Sequence, residues 1–131
     1  MSRIMARDWL FKLVFELTFQ KNSVALYEEF LETQSVNEEN KAFVTAMYSG
    51  IVEYQDELLT QLEKYIKGYN TSTMFKVDLA ILLIALYEIK YYKQTEAKVV
   101  ANESVELAKK YSTEKSHKFI NGVIASIIKD N

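Results

Sequence analysis

Residues 79–87, LAILLIALY, place nine apolar side chains in a row. A helix lying on a protein surface keeps polar residues on one side, so a run that is apolar all round belongs inside a fold. It is also far shorter than the roughly 20 residues needed to cross a bilayer. A chain carrying this segment has to wrap other elements around it. Those elements are helices: proline is absent, the only glycines are Gly50, Gly68 and Gly122, and no paired turn residues separate alternating strands.

The helices are marked off by short polar stretches, QKNS at 20–23, QSVNEEN at 34–40, GYNTST at 68–73, KQTE at 93–96 and YSTEKS at 111–116. None is long enough to link two domains, so residues 1–131 read as a single all-α domain. Between the breaks the apolar spacing is helical. Phe119, Ile120, Val123, Ile124, Ile127 and Ile128 recur every three or four residues and form one stripe. Upstream, Ala101, Val105 and Ala108 share a face, with Glu103 and Glu106 early and Lys109 and Lys110 late, as the helix dipole favours.

Several kinds of chemistry are excluded. Without cysteine there is no disulfide, thiolate metal site or cysteine nucleophile, and the single histidine, His117, cannot build a histidine metal site alone. No nucleotide loop or catalytic constellation is present, so neither an enzyme nor a cofactor is expected. The absence of cysteine fits a reducing compartment. The N-terminal MSRIMARDWLFKLVF is interrupted by Arg3, Arg7, Asp8 and Lys12 and lacks the apolar core of a secretory signal, so a cytoplasmic protein with no membrane partner is expected.

Charge is unevenly distributed. Residues 1–7 carry two arginines and no acid, residues 8–89 carry 13 acids against 6 lysines, and residues 90–131 carry 8 lysines against 5 acids. A formal charge of −2 therefore conceals basic ends around an acidic middle. Arg3 and Arg7, four apart, would share a helix face. Aromatic rings interleave with the lysines in KYYK at 90–93, KKY at 109–111 and KF at 118–119. Rings can stack on bases while cations pair with phosphates, which makes this a candidate footprint for single-stranded RNA. The same lysines also suit solvated helix ends, and Tyr91, Tyr92, Tyr111 and Phe119 also suit packing. Within the last helix, Gly122 costs roughly 1 kcal/mol relative to alanine. Close approach of a neighbouring helix or of an RNA backbone would justify it, with Asn121 presenting an amide to a base edge or to a neighbouring helix.

The stretch KVVANESVELAKKYSTEKSHKFINGVI, residues 98–124, resembles the C-terminal signature of the NusB family of transcription antitermination factors. The resemblance extends to VDLAILLIALYEI at 77–89, GIVEYQDELLTQLEKYI at 50–66 and ARDWLFKLVFELTFQ at 6–20, and so covers essentially the whole chain. It implies about seven helices in two packed bundles and a function without catalysis. Family members bind the boxA element of ribosomal RNA leaders together with the small-subunit ribosomal protein NusE, within the RNA polymerase antitermination complex. Carried over motif by motif, the resemblance implies RNA contacts at Arg3, Arg7, Lys118, Phe119 and Asn121, with Lys90 of the KYYK patch added. It implies a NusE contact at Phe15 and Asp78. This chain departs from the family pattern at Ile4 and Met5, where arginines are usual, and at Leu83. Lys115 adds a charge beside the RNA motif that offsets the thin N-terminal cluster. The sequence leaves a homodimer open, together with two rivals: a stand-alone module like that fused to rRNA cytosine methyltransferases, and a protein-only adaptor working through its acidic middle.

Overall fold

The computed structural model describes residues 2–19 and 23–131. Seven α-helices occur among them: α1 (Arg3–Leu17), α2 (Val24–Glu32), α3 (Glu38–Glu53), α4 (Gln55–Leu62), α5 (Lys76–Tyr87), α6 (Ala97–Tyr111) and α7 (Glu114–Lys129). A π-helical turn, Glu88–Tyr92, extends α5 and closes at Lys93, which adopts the left-handed conformation with φ 58°. Apart from Ser23, the expected break at 20–23 lies outside the described residues.

The apolar run occupies the centre. Every residue from Asp78 to Leu86 is buried, and α5 packs against α1, α3, α4, α6 and α7. One group of helices pairs α1 with α3 and adds α2 beside α1; the other pairs α6 with α7, and α5 is common to both. This is the expected all-α arrangement, with seven helices in two packed groups. Each leucine or isoleucine withdrawn from water in α5 contributes about 1.5–3 kcal/mol, which is why this segment organises the others.

Side-chain caps set the helix starts. Ser2 accepts a hydrogen bond from the Met5 backbone N–H, and Asn37 does the same for Asn40. The segment 50–66, continuous in its apolar pattern, is divided at Tyr54, where α3 ends and α4 begins. One turn before this break, Gly50 gives α5 room: a Cβ there would overlap the Tyr87 hydroxyl. Tyr87 then stacks on Tyr91, which stacks on Tyr54, with ring centroids 5.5 and 5.7 Å apart.

Asp8 fastens α1 to α6 by accepting hydrogen bonds from the Tyr111 hydroxyl and, at 2.9 Å, from Lys110 Nζ. Burial raises the Asp8 pKa, but the bonds from Tyr111, Lys110 and Lys12 outweigh it and hold the carboxyl below its ordinary value. A depressed folded-state pKa means that this tie contributes fully at neutral pH and is lost as pH falls through that value.

Candidate nucleic-acid interface

The KFINGV motif lies within α7, which takes in the last three residues of the expected break at 111–116. The early start follows from Thr113, whose side chain accepts from the Ser116 backbone N–H at 3.3 Å. Phe119 therefore sits in the second helical turn.

Beneath this turn lies Asp78, the carboxylate expected to meet a protein partner. Asp78 is 6% exposed. It accepts from Ser112 Oγ at 2.7 Å and from Ser116 Oγ at 2.9 Å, so both its oxygens are engaged within the chain. Its role is to fasten the start of α5 to the α6–α7 turn that carries the motif.

Above the turn, Lys115, Lys118 and Asn121 are exposed and Phe119 is half-buried. The Phe119 ring packs on Tyr69, with centroids 5.0 Å apart, and forms a ridge between two grooves. One groove, about 200 Å³, is lined by Tyr69, Phe75 and Lys115. The other, about 600 Å³, runs between α7 and the end of α4 and includes Lys64, Lys67, Lys118, Lys129 and Gly122. No atom of another element lies within 4 Å of the position a Gly122 Cβ would take. Close approach of a neighbouring helix, one of the two expected reasons for this glycine, is thereby overturned. Asn121, exposed on the same surface, likewise has no neighbouring helix as its evident partner.

Arg3, Arg7 and Lys90 belong to another corner, formed by α1, α3 and the π-helical turn. The two arginines share a face, both guanidinium groups lying over the Phe43 ring, but they differ in exposure. Arg7 is 4% exposed and donates from both terminal nitrogens to Glu88, each at 2.5 Å. Its guanidinium, expected to contact RNA, is paired here with a buried carboxylate. Arg3 is half-buried, donates to Asn40 Oδ1 at 2.8 Å and lies 4.1 Å from the centroid of the Phe43 ring. Lys90, on the π-helical turn, is half-buried.

The interleaved tyrosines are packing residues. Tyr91 joins the Tyr54–Tyr87 stack and accepts from Gln61 Nε2, Tyr92 meets Phe43 edge-on, and Tyr111 stacks on Phe11. Phe15 stands in an i,i+4 aromatic row with Phe11 and Phe19, and the row ends in solvent at Phe19, 48% exposed. Phe15, Phe19 and Leu26 line a separate apolar depression at the end of α1.

Sequence reasoning missed Tyr69, Phe75, Lys64, Lys67 and Lys129. The available signal was an aromatic residue at each end of the polar 70–74 segment and lysines three apart at 64 and 67. Among the described residues, no group of three His, Cys, Asp or Glu side chains could hold a metal, and no helix is long and apolar enough to cross a membrane.

The NusB family profile matches residues 3–129. A transcription antitermination protein NusB from Acetivibrio thermocellus is 37% identical over 130 residues, covering 98% of this chain and 90% of that protein. The structure of T. maritima NusB aligns with a TM-score of 0.88 at 26% identity, over 100% of this chain and 93% of that one. A chain from the crystal structure of antitermination factors NusB and NusE in complex with dsRNA aligns over 100% of both chains, with a TM-score of 0.86 at 26% identity. A family match over nearly the full length, joined to the same helical packing, places this chain in the NusB family.

Proposed function

We propose that this chain is a transcription antitermination factor that binds boxA-type single-stranded RNA together with the ribosomal protein NusE. The observation that carries this reading is the Phe119 ridge, with Lys118 and Asn121 exposed beside it and Lys115 in the adjoining groove. A ring flanked by cations and an amide supplies stacking, phosphate pairing and base-edge hydrogen bonding in one place. The relative solved with NusE and RNA supports the choice of partners. Arg3 and Lys90 add charge at the α1 corner, while Phe15 with its exposed neighbour Phe19 provides the apolar surface proposed for NusE.

The test is RNA affinity by fluorescence anisotropy, with and without NusE. Phe119→Ala should weaken boxA binding by about 1–3 kcal/mol. Because the ring is half-buried, the variant should lose only part of the 3–5 kcal/mol that a fully buried phenylalanine contributes to stability. Lys118→Ala should weaken binding and reduce its salt dependence, and NusE should tighten RNA binding by the wild type. A folded Phe119→Ala protein with undiminished RNA affinity would refute the stacking role. RNA binding indifferent to NusE would favour the stand-alone methyltransferase-type module.

Gly122 separates recognition from stability in the opposite direction. Its Cβ position is open, so Gly122→Ala should stabilise α7 by roughly 0.5–1 kcal/mol. If the glycine serves approach of the RNA backbone, the same variant binds boxA RNA more weakly. A more stable protein with unchanged affinity would show that the glycine has no such role.

A further inference from the structure

The groove between α4 and α7 has features that the Phe119 motif does not use. Its lining holds four lysines, Lys64, Lys67, Lys118 and Lys129, against one acid, Asp130. Asp130 already accepts from the Tyr65 hydroxyl at 2.9 Å. The adjacent Glu63 is likewise occupied, accepting from the Thr71 backbone N–H at 2.8 Å and from Thr71 Oγ1 at 2.9 Å. None of the four lysines forms an ion pair among the described residues, and all four are exposed. Elsewhere Lys12 and Lys110 pair with Asp8, and Lys109 with Glu106. Unpaired like charges drawn together from two separate parts of the chain repel one another, and a polyanion relieves that repulsion.

The occupant also has to connect with the ridge, because Phe119 and Lys118 border this groove. A strand whose base stacks on Phe119 would continue over Gly122, where no side chain or neighbouring element obstructs a sugar-phosphate backbone. We propose that the α4–α7 groove is a phosphate track for the single-stranded RNA flanking the segment read at Phe119, with Lys64, Lys67 and Lys129 as its cations. This rests on the RNA reading above and adds a second stretch of ligand with its own residues. The track is sequence-tolerant, since lysines meet phosphates, while Tyr65 and Asp130 are bonded to each other and Ser126 Oγ donates to the Gly122 carbonyl.

The experiment compares the full chain with a K64Q/K67Q/K129Q variant on three RNAs: a boxA oligonucleotide, and the same oligonucleotide extended by six uridines on its 5′ or its 3′ side. The wild type should bind one extended RNA more tightly than the boxA RNA alone, on the order of tenfold at low salt. The variant, with its melting temperature preserved, should lose that gain and keep boxA affinity within about twofold of wild type. Its salt dependence on the extended RNA should fall by about 2 in log–log slope, or roughly 0.7 per phosphate contact on a single strand. No gain from either extension in the wild type, or a gain retained by the variant, overturns the track while leaving boxA recognition intact. Equal loss on all three RNAs assigns the lysines to the boxA site and also overturns it. Displacement of the extension by polyglutamate as readily as by oligouridine would make the groove an acidic-polypeptide site instead. A wild type that binds none of the RNAs, even with NusE, defeats the RNA reading itself and the track with it.

Discussion

Arg7→Ala should destabilise the protein by about 3–5 kcal/mol, because it leaves Glu88, 0% exposed, as an uncompensated charge in the interior. The pair joins the first turns of α1 to the point where α5 passes into its π-helical turn, residues 81 apart in sequence. Urea unfolding at neutral pH reads the loss directly. Replacing both partners, Arg7→Met with Glu88→Met, should recover most of it, since removing a buried ion pair altogether also removes the cost of desolvating it. Among the described residues Arg7 Nε has no hydrogen-bond partner, so the native pair is not fully satisfied to begin with. If Arg7→Ala is as stable as wild type yet loses RNA affinity, the guanidinium serves the ligand and its interior role is wrong.

Asp78→Ala should cost about 3 kcal/mol or more, since hydrogen bonds to a charged group contribute about 1.5–3 kcal/mol each and two are lost. The consequence extends to function. Ser116 lies in the first turn of α7, so releasing it loosens the turn that positions Lys118 and Phe119, and boxA affinity should fall along with the melting temperature. Asp78→Asn, which keeps one acceptor oxygen, should fall between the two. A variant that remains within about 0.5 kcal/mol of wild type and loses only NusE binding would assign Asp78 to a partner surface.

Asp78 and Arg7 show where a motif transferred by position loses information. A charged residue near a helix start reads as exposed, because charged residues are seldom buried without a partner. Whether a partner exists depends on residues far along the chain: Glu88 for Arg7, Ser112 and Ser116 for Asp78. The tyrosines of KYYK raise the same difficulty, since rings suited to stacking on bases are equally suited to stacking on Tyr54 and Phe43.

Local order along the chain was sufficient for the architecture. An all-round apolar run must be central, amphipathic stripes must face it, and the absence of proline and strand signals leaves helices alone to do so; burial of α5 follows from the hydrophobic effect whatever the exact packing. The KFINGV segment is likewise legible, because its lysine, ring and amide lie within one helix and their spacing fixes their relative directions. The two grooves beside Phe119 are not. Lys64, Lys67, Tyr69 and Phe75 come from the segment after α4, and they meet α7 because α4 and α7 both pack on α5. The sequence by itself determined the helices, the central segment and the grouping of Lys118, Phe119 and Asn121 on α7. The tertiary structure decided which charges are neutralised inside and which remain unpaired in solvent, since charge pairing depends on distance in space and the chain brings together residues that its linear order keeps apart.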